Sequence, residues 1–194
     1  MTRYPRERIE ARLSYFSIES AHRVFAVSRM PLSIQPSPSR FCDGTSGYAV
    51  LYAALRFETC IAESLIRDRF VRRTRRELPL ADVLIRAHAQ IATQPNEELL
   101  LLDLRDTGCM DIGAPTDAAR ARHFAAGQSL GRAIHTEHPD VDGVIYASRL
   151  TGDDCFAVFD RALDKLIVID ARELKDHPQL PALLEQGGIQ LVDD

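Results

Sequence analysis

The change of hydrophobic period between Tyr48 and Phe70 constrains this chain more than any other stretch. Tyr48 to Ala54, Y-A-V-L-Y-A-A, is a short apolar run with the length and composition of a buried strand. From Phe57 the period changes: Phe57, Ile61, Ala62, Leu65, Ile66 and Phe70 recur at three and four, one apolar helix face, with Glu58, Arg67, Asp68 and Arg69 mostly outside it. The stretch from Arg40 to Glu63 is thus a polar loop, a strand and the opening turns of a helix. Tyr52 and Glu63 are 11 residues apart, so the tyrosine leaves the strand while the glutamate sits about a turn and a half into the helix, off the centre of its apolar face. Both can face one pocket.

The remaining segments predict one α+β domain, residues 1–194, built on a mixed β-sheet with flanking helices. Residues 1–20 read as an N-terminal arm or short helix, with Ile9 and Leu13 at i,i+4. His22 to Val27 reads as a strand carrying Arg23, followed by a proline- and serine-rich loop to Ser39. Asp82 to Thr93 alternates with Val83, Ile85, Ala87, Ala89 and Ile91 on one face, a strand pattern. Leu99 to Leu104 reads as a strand buried on both faces, which brings the core sheet to three or four strands by this point in the chain. Thr116 is an expected N-cap for helical sequence from Asp117. The helix continues through Phe124 to His135, where Gly127 and Gly131 permit a close approach. Val144 to Ala147 is a further strand, ending at Ser148. Phe156–Phe159 and Leu166–Ile169 read as a hairpin-like pair, and Leu180–Glu185 and Ile189–Val192 as a last helix and a closing strand.

Composition narrows the function classes. A net charge of −4 and a pI near 5.9 argue against direct nucleic-acid binding. The cluster Arg72, Arg73, Arg75 and Arg76 is better read as a solvated turn and helix end than as a phosphate patch. The four cysteines, Cys42, Cys60, Cys109 and Cys155, form no C-x-x-C pair, as expected of free thiols in a reducing compartment. With no basic-then-apolar leader and no run near the length of a membrane span, the expected location is the cytoplasm, away from membranes. His123, His135 and His138 have no spacing that defines a metal site, and no metal is expected. Asp43-Gly44-Thr45-Ser46-Gly47 lacks the Walker lysine and the dinucleotide glycine spacing, and no G-x-S-x-G surrounds any serine.

Arg40, Tyr52, Glu63 and Ser148 each have a plain structural reading: loop decoration, core tyrosine, solvated helix shoulder and turn serine. As an ordered set, within R-F-x-x-x-x-x-G-x-x-V-L-Y-A-A and D-G-V-I-Y-A-S, they resemble the RES-domain family, named for an arginine, a glutamate and a serine. The resemblance extends from the strand with Arg23 through L-L-D-L-R-D to F-A-V-F-D-R. The loop after Arg40, F-C-D-G-T-S-G, departs from the family's usual Trp or Phe and Asn.

The resemblance implies a fold similar to the ADP-ribosyltransferase toxins and a site for NAD⁺, taken as a substrate. It implies a toxin paired with an antitoxin that carries a helix-turn-helix DNA-binding domain. The implied reaction is cleavage of NAD⁺ at the nicotinamide–ribose bond, with inorganic phosphate a candidate co-substrate; transfer of ADP-ribose to a protein is the alternative. A non-enzymatic nucleotide- or partner-binding module is the alternative of another class. Glu63, Arg40 and Tyr52 are the expected catalytic residues. Arg23, Arg40, Tyr52 and Ser148 are the expected substrate-binding ones. Whether the chain forms a homo-oligomer stays open.

Overall fold

The computed structural model describes residues 4–193. In chain order the elements are α1 (Arg6–Glu10), β1 (Leu13–Phe16), β2 (Ala21–Ala26), β3 (Val50–Ala54) and α2 (Phe57–Ile61), which runs on as a π-helical turn (Ala62–Ile66). Next come β4 (Glu77–Pro79), α3 (Leu80–Leu84), β5 (Arg86–Thr93), β6 (Leu99–Asp103), α4 (Gly108–Asp111) and α5 (Ala125–Glu137). The chain closes with β7 (Gly143–Ala147), β8 (Asp154–Phe159), a 3-10 turn (Asp160–Lys165), β9 (Leu166–Glu173), a second 3-10 turn (Leu174–Asp176), α6 (Leu180–Gln186) and β10 (Gln190–Val192).

Eight strands form one sheet in the order β1-β6-β7-β8-β3-β2-β5-β9, and β10 and β4 form a small parallel pair. All neighbours in the large sheet are antiparallel except β6 and β7. That parallel pair needs a crossover, which α4 and α5 supply. The architecture is α+β around a mixed sheet, as the sequence predicts.

One face of the sheet carries the helices in two groups. Over β6, β7, β8 and β3, residues Leu102, Val144, Tyr146, Ala157 and Phe159 pack with Leu130 and Ile134 of α5. Over β2 and β5, the apolar face of α2 (Phe57, Ile61, Leu65) packs with Val83, Leu174, Leu180 and Leu184, and Val24 is packed against the same cluster. The other face, with Leu51, Ala53, Phe25 and Ala89, is covered by Phe16, Leu32, Ile34 and Leu163. A seam remains between the two helical groups.

Four expectations are corrected. Residues 80–84 are helical, not the start of a strand: Ile85 N donates to Ala81 O, and Ile85 is exposed although Val83 is buried. The helix expected from Asp117 begins at Ala125, because 115–121 close as successive turns, Ala118 N to Pro115 O and Arg120 N to Asp117 O. β8 and β9 are not a hairpin: β8 lies between β7 and β3, while β9 pairs with β5 at the far edge, the 3-10 turn carrying the chain across. Within the arm expected over residues 1–20, Leu13–Phe16 is the opposite edge strand; Met1 to Arg3 lie outside the described residues.

Candidate active site

A cavity of about 240 Å³ opens in the seam, lined from β2 by Val24, from β3 by Tyr52, from α2 and its π turn by Cys60, Glu63 and Arg67, and from the far side by Arg40, Phe124, Tyr146 and Cys155. Glu63 arrives there through a local irregularity. The Ser64 hydroxyl donates back to the Cys60 carbonyl, four residues earlier, at 2.6 Å. Arg67 N then bonds back five residues to Ala62 O, at 2.7 Å, which defines the π turn.

The turn ends in strain. Arg67 has φ 36° and ψ −121°, near the first central position of a type II′ turn, which glycine usually fills. A side chain held in such a region costs on the order of 1–3 kcal/mol. Its guanidinium lies 4.8 Å from the centre of the Phe124 ring, and the Arg40 guanidinium lies 5.3 Å from the same ring.

The structure brings together Arg40, Tyr52, Glu63 and Ser148, from four separate elements. The Ser148 hydroxyl donates to Glu63 Oε1 at 2.7 Å and accepts from the amides of Leu150 and Thr151, at 3.1 and 3.3 Å. Those two amides occupy its lone pairs, so its proton is directed at the carboxylate. Ser148 is buried behind Glu63 and is not on the cavity wall. Thr59 on α2 donates to Asp153 at 2.6 Å and bonds Thr151 at 2.8 Å, which fastens the helix to the same turn.

Arg40 is buried; its Nη1 donates to Ala121 O at 2.8 Å. Its backbone carbonyl lies 2.5 Å from where a Cβ on Gly127 would stand, and that of Phe41 lies 2.2 Å from a Cβ on Gly131. The two glycines therefore let α5 clamp the Arg40–Phe41 segment. Tyr52 closes the same segment from below, accepting from Phe41 N at 2.8 Å and donating to Ser39 Oγ at 3.0 Å.

Arg23 is not brought to the cavity. Side chains alternate along a strand, and its neighbour Val24 takes the cavity side. Arg23 instead faces the other side of the sheet, where Nη2 donates to Ser33 O at 3.2 Å and Nε is buried without a partner among the described residues. Burial lowers its pKa to about 10.

Burial also sets the protonation of the wall. It pushes the Tyr52 phenol up to about 12 and Tyr146 well above its usual value, the latter helped by the charge of Glu63. It pushes Cys60 up to about 12 and raises Cys155 too, so both thiols stay protonated at neutral pH and are poor nucleophiles. The charged groups of the wall are therefore one carboxylate, Glu63, and two guanidiniums, Arg40 and Arg67. Among the described residues, no group of three or more His, Cys, Asp or Glu is placed to hold a metal ion. His135 is engaged elsewhere, stacked 4.3 Å over Tyr48 and 3.5 Å from Asp160.

Residues 9–181 match the RES domain. The chain belongs to the RES-domain family. A relative from Sinorhizobium fredii, named "Probable toxin y4kH", is 42% identical over 100 residues, half of this chain and 77% of the relative. The RES chain also superposes on the crystal structure of the M. tuberculosis MbcT–MbcA toxin–antitoxin complex with a TM-score of 0.65, over 94% of this chain and 95% of that one. At 19% identity that likeness speaks for the fold. The cavity contributes residues that the sequence reading leaves out: Arg67, Phe124 and Tyr146. Arg67 had a signal, since it stands at i,i+4 from Glu63. Phe124 and Tyr146 had none beyond being apolar aromatics.

Proposed function

We propose that this RES domain cleaves NAD⁺ at the bond between nicotinamide and ribose, and is the toxin of a toxin–antitoxin pair. The observation that carries the reading is the Glu63–Ser148 pair: a carboxylate with one oxygen fixed by a directed hydroxyl, on the wall of a cavity whose other charged groups are the guanidiniums of Arg40 and Arg67. A cavity of about 240 Å³ is smaller than the roughly 300–1,000 Å³ of clefts that enclose a whole ligand, which suits the nicotinamide ribosyl end of a dinucleotide with the rest outside.

In this mechanism the C1′–N bond breaks and its electron pair returns to the nicotinamide ring, neutralising the pyridinium. Positive charge then develops on the ribose, where Glu63 stabilises it. Ser148 holds the carboxylate in place, so little reorganisation accompanies the reaction. Tyr52, kept neutral, offers a flat face to the leaving ring, and Arg40 holds phosphate oxygens. Arg23, expected to bind substrate directly, has an indirect part here, bracing the 28–39 loop that leads to Arg40. The ribosyl cation is captured by orthophosphate, giving the 1-phosphate of ADP-ribose, or by water, giving ADP-ribose and a proton. Capture by a protein side chain is the alternative.

The relative's name and the toxin–antitoxin structure support a cognate antitoxin as the partner. We assign that antitoxin a helix-turn-helix DNA-binding domain. Purified protein mixed with NAD⁺, with and without phosphate, should release nicotinamide. No release in either arm would sink the proposal. Glu63→Ala should abolish release while leaving thermal stability near wild type, which separates chemistry from packing.

A further inference from the structure

We infer that Arg67 and Arg40, on the shared ring of Phe124, form a binding site for a phosphoryl oxyanion, with Arg67 as its adjustable half. The inference rests on the NAD⁺ reading for the identity of the ligand and deepens it.

Arg67 lines the cavity and stacks on Phe124, yet holds a backbone conformation that glycine would adopt with less strain. A strained side chain at a cavity wall points to a use for that side chain. Its guanidinium also makes no ion pair among the described residues, although its charge is felt by Asp68. The neighbouring carboxylate, Asp68, is taken by Arg149 at 3.0 Å and by Arg122 at 3.5 Å. Among the described residues, no carboxylate lies within ion-pairing distance of Arg67 or Arg40. Arg40 commits one nitrogen to Ala121 O, and Glu63 is held by Ser148. Two forked guanidiniums on one aromatic ring, neither in an ion pair, suit phosphate oxygens, which accept parallel N–H bonds.

Two sources supply that chemistry: the pyrophosphate of a dinucleotide and free orthophosphate. For the first, the cavity holds the ribosyl end while Arg67 and Arg40 hold the linkage beyond it. For the second, the same pair delivers the attacking anion.

The test is Arg67→Gly, which keeps the positive φ and removes the side chain. Calorimetric titration with inorganic pyrophosphate and with orthophosphate should show at least a tenfold loss of affinity for one of them, while Tm stays level or rises. Arg67→Lys, which keeps the charge without the fork, should fall between. Kinetics then separate the sources: a raised KM for NAD⁺ assigns the site to the dinucleotide, and a raised KM for orthophosphate assigns it to the attacking anion. Unchanged affinities and both KM values unchanged in a folded Arg67→Gly protein would overturn the inference. Failure of the cleavage reading looks different: wild type would release no nicotinamide and yet bind pyrophosphate in an Arg67-dependent way.

Discussion

Replacing Gly131 by alanine sets two effects of opposite sign against each other. Alanine in a helix interior is favoured over glycine by about 1 kcal/mol. At this position, however, the new Cβ would stand 2.2 Å from the carbonyl oxygen of Phe41 and 2.9 Å from its carbon. Ordinary contact requires that carbonyl to retreat by about 1 Å, the gap between the built position and van der Waals separation. The retreat is opposed because the carbonyl accepts the Tyr48 hydroxyl at 2.6 Å and the amide of the same residue donates to Tyr52 at 2.8 Å. Overpacking costs about 1–3 kcal/mol and a stretched hydrogen bond about 1 kcal/mol, so Gly131→Ala should lose about 2 kcal/mol net. For a chain of this length that is a fall in Tm of roughly 4–8 °C, measurable by calorimetry. Nicotinamide release should fall with it, because Arg40 shares the displaced segment. A Tm equal to or above wild type would refute the claim that α5 clamps this segment through its glycines.

Stability should also fall as pH drops from 6.5, through His22, His88 and His177, which burial holds below the usual histidine pKa, His88 at about 3. They meet one another directly, His22 Nδ1 lying 3.0 Å from His88 Nε2, with Asp170 and Arg172 of β9 and Glu58 of α2 acting on them with opposing effects. Because the folded pKa is depressed, the unfolded chain binds more protons between that value and 6.5; their contribution is complete above 6.5 and is lost toward 3. Tm scans from pH 7.5 to 4.5 should therefore slope less in His88→Phe. Ser148→Ala should lower nicotinamide turnover by roughly 100-fold by freeing the Glu63 carboxylate, with Ser148→Thr restoring much of it. Equal turnover in Ser148→Ala would remove the serine from the mechanism.

Where one signal dominated, the sequence was legible. β3 and α2 follow from the switch of period at Phe57, and β6 from an unbroken leucine run. α3 was hidden because Val83 and Ile85 extend the alternation of β5, and only the turn bonded through Ala81 O reveals that the pattern is shared by chance. The misplacement of β9 has another cause: local sequence records that two strands are consecutive, not which edge the second one joins. The candidate site divides in the same way. Polar residues ending apolar segments, Tyr52, Glu63 and Ser148, could be picked out. Arg23 and Val24 differ by a single step of strand alternation, and that step decides which of them meets the cavity.

The strand order has a consequence for the timing of synthesis. β3 is complete once residue 54 has been made, but its partner β8 ends at Phe159 and Ser148 comes only shortly before it. At roughly 5–20 residues per second, a nascent chain carries Arg40, Tyr52 and Glu63 for several seconds before Tyr146 and Cys155 complete the wall. Until β7 and β8 arrive, the cavity does not exist, and whatever chemistry it performs is withheld from a chain still on its ribosome.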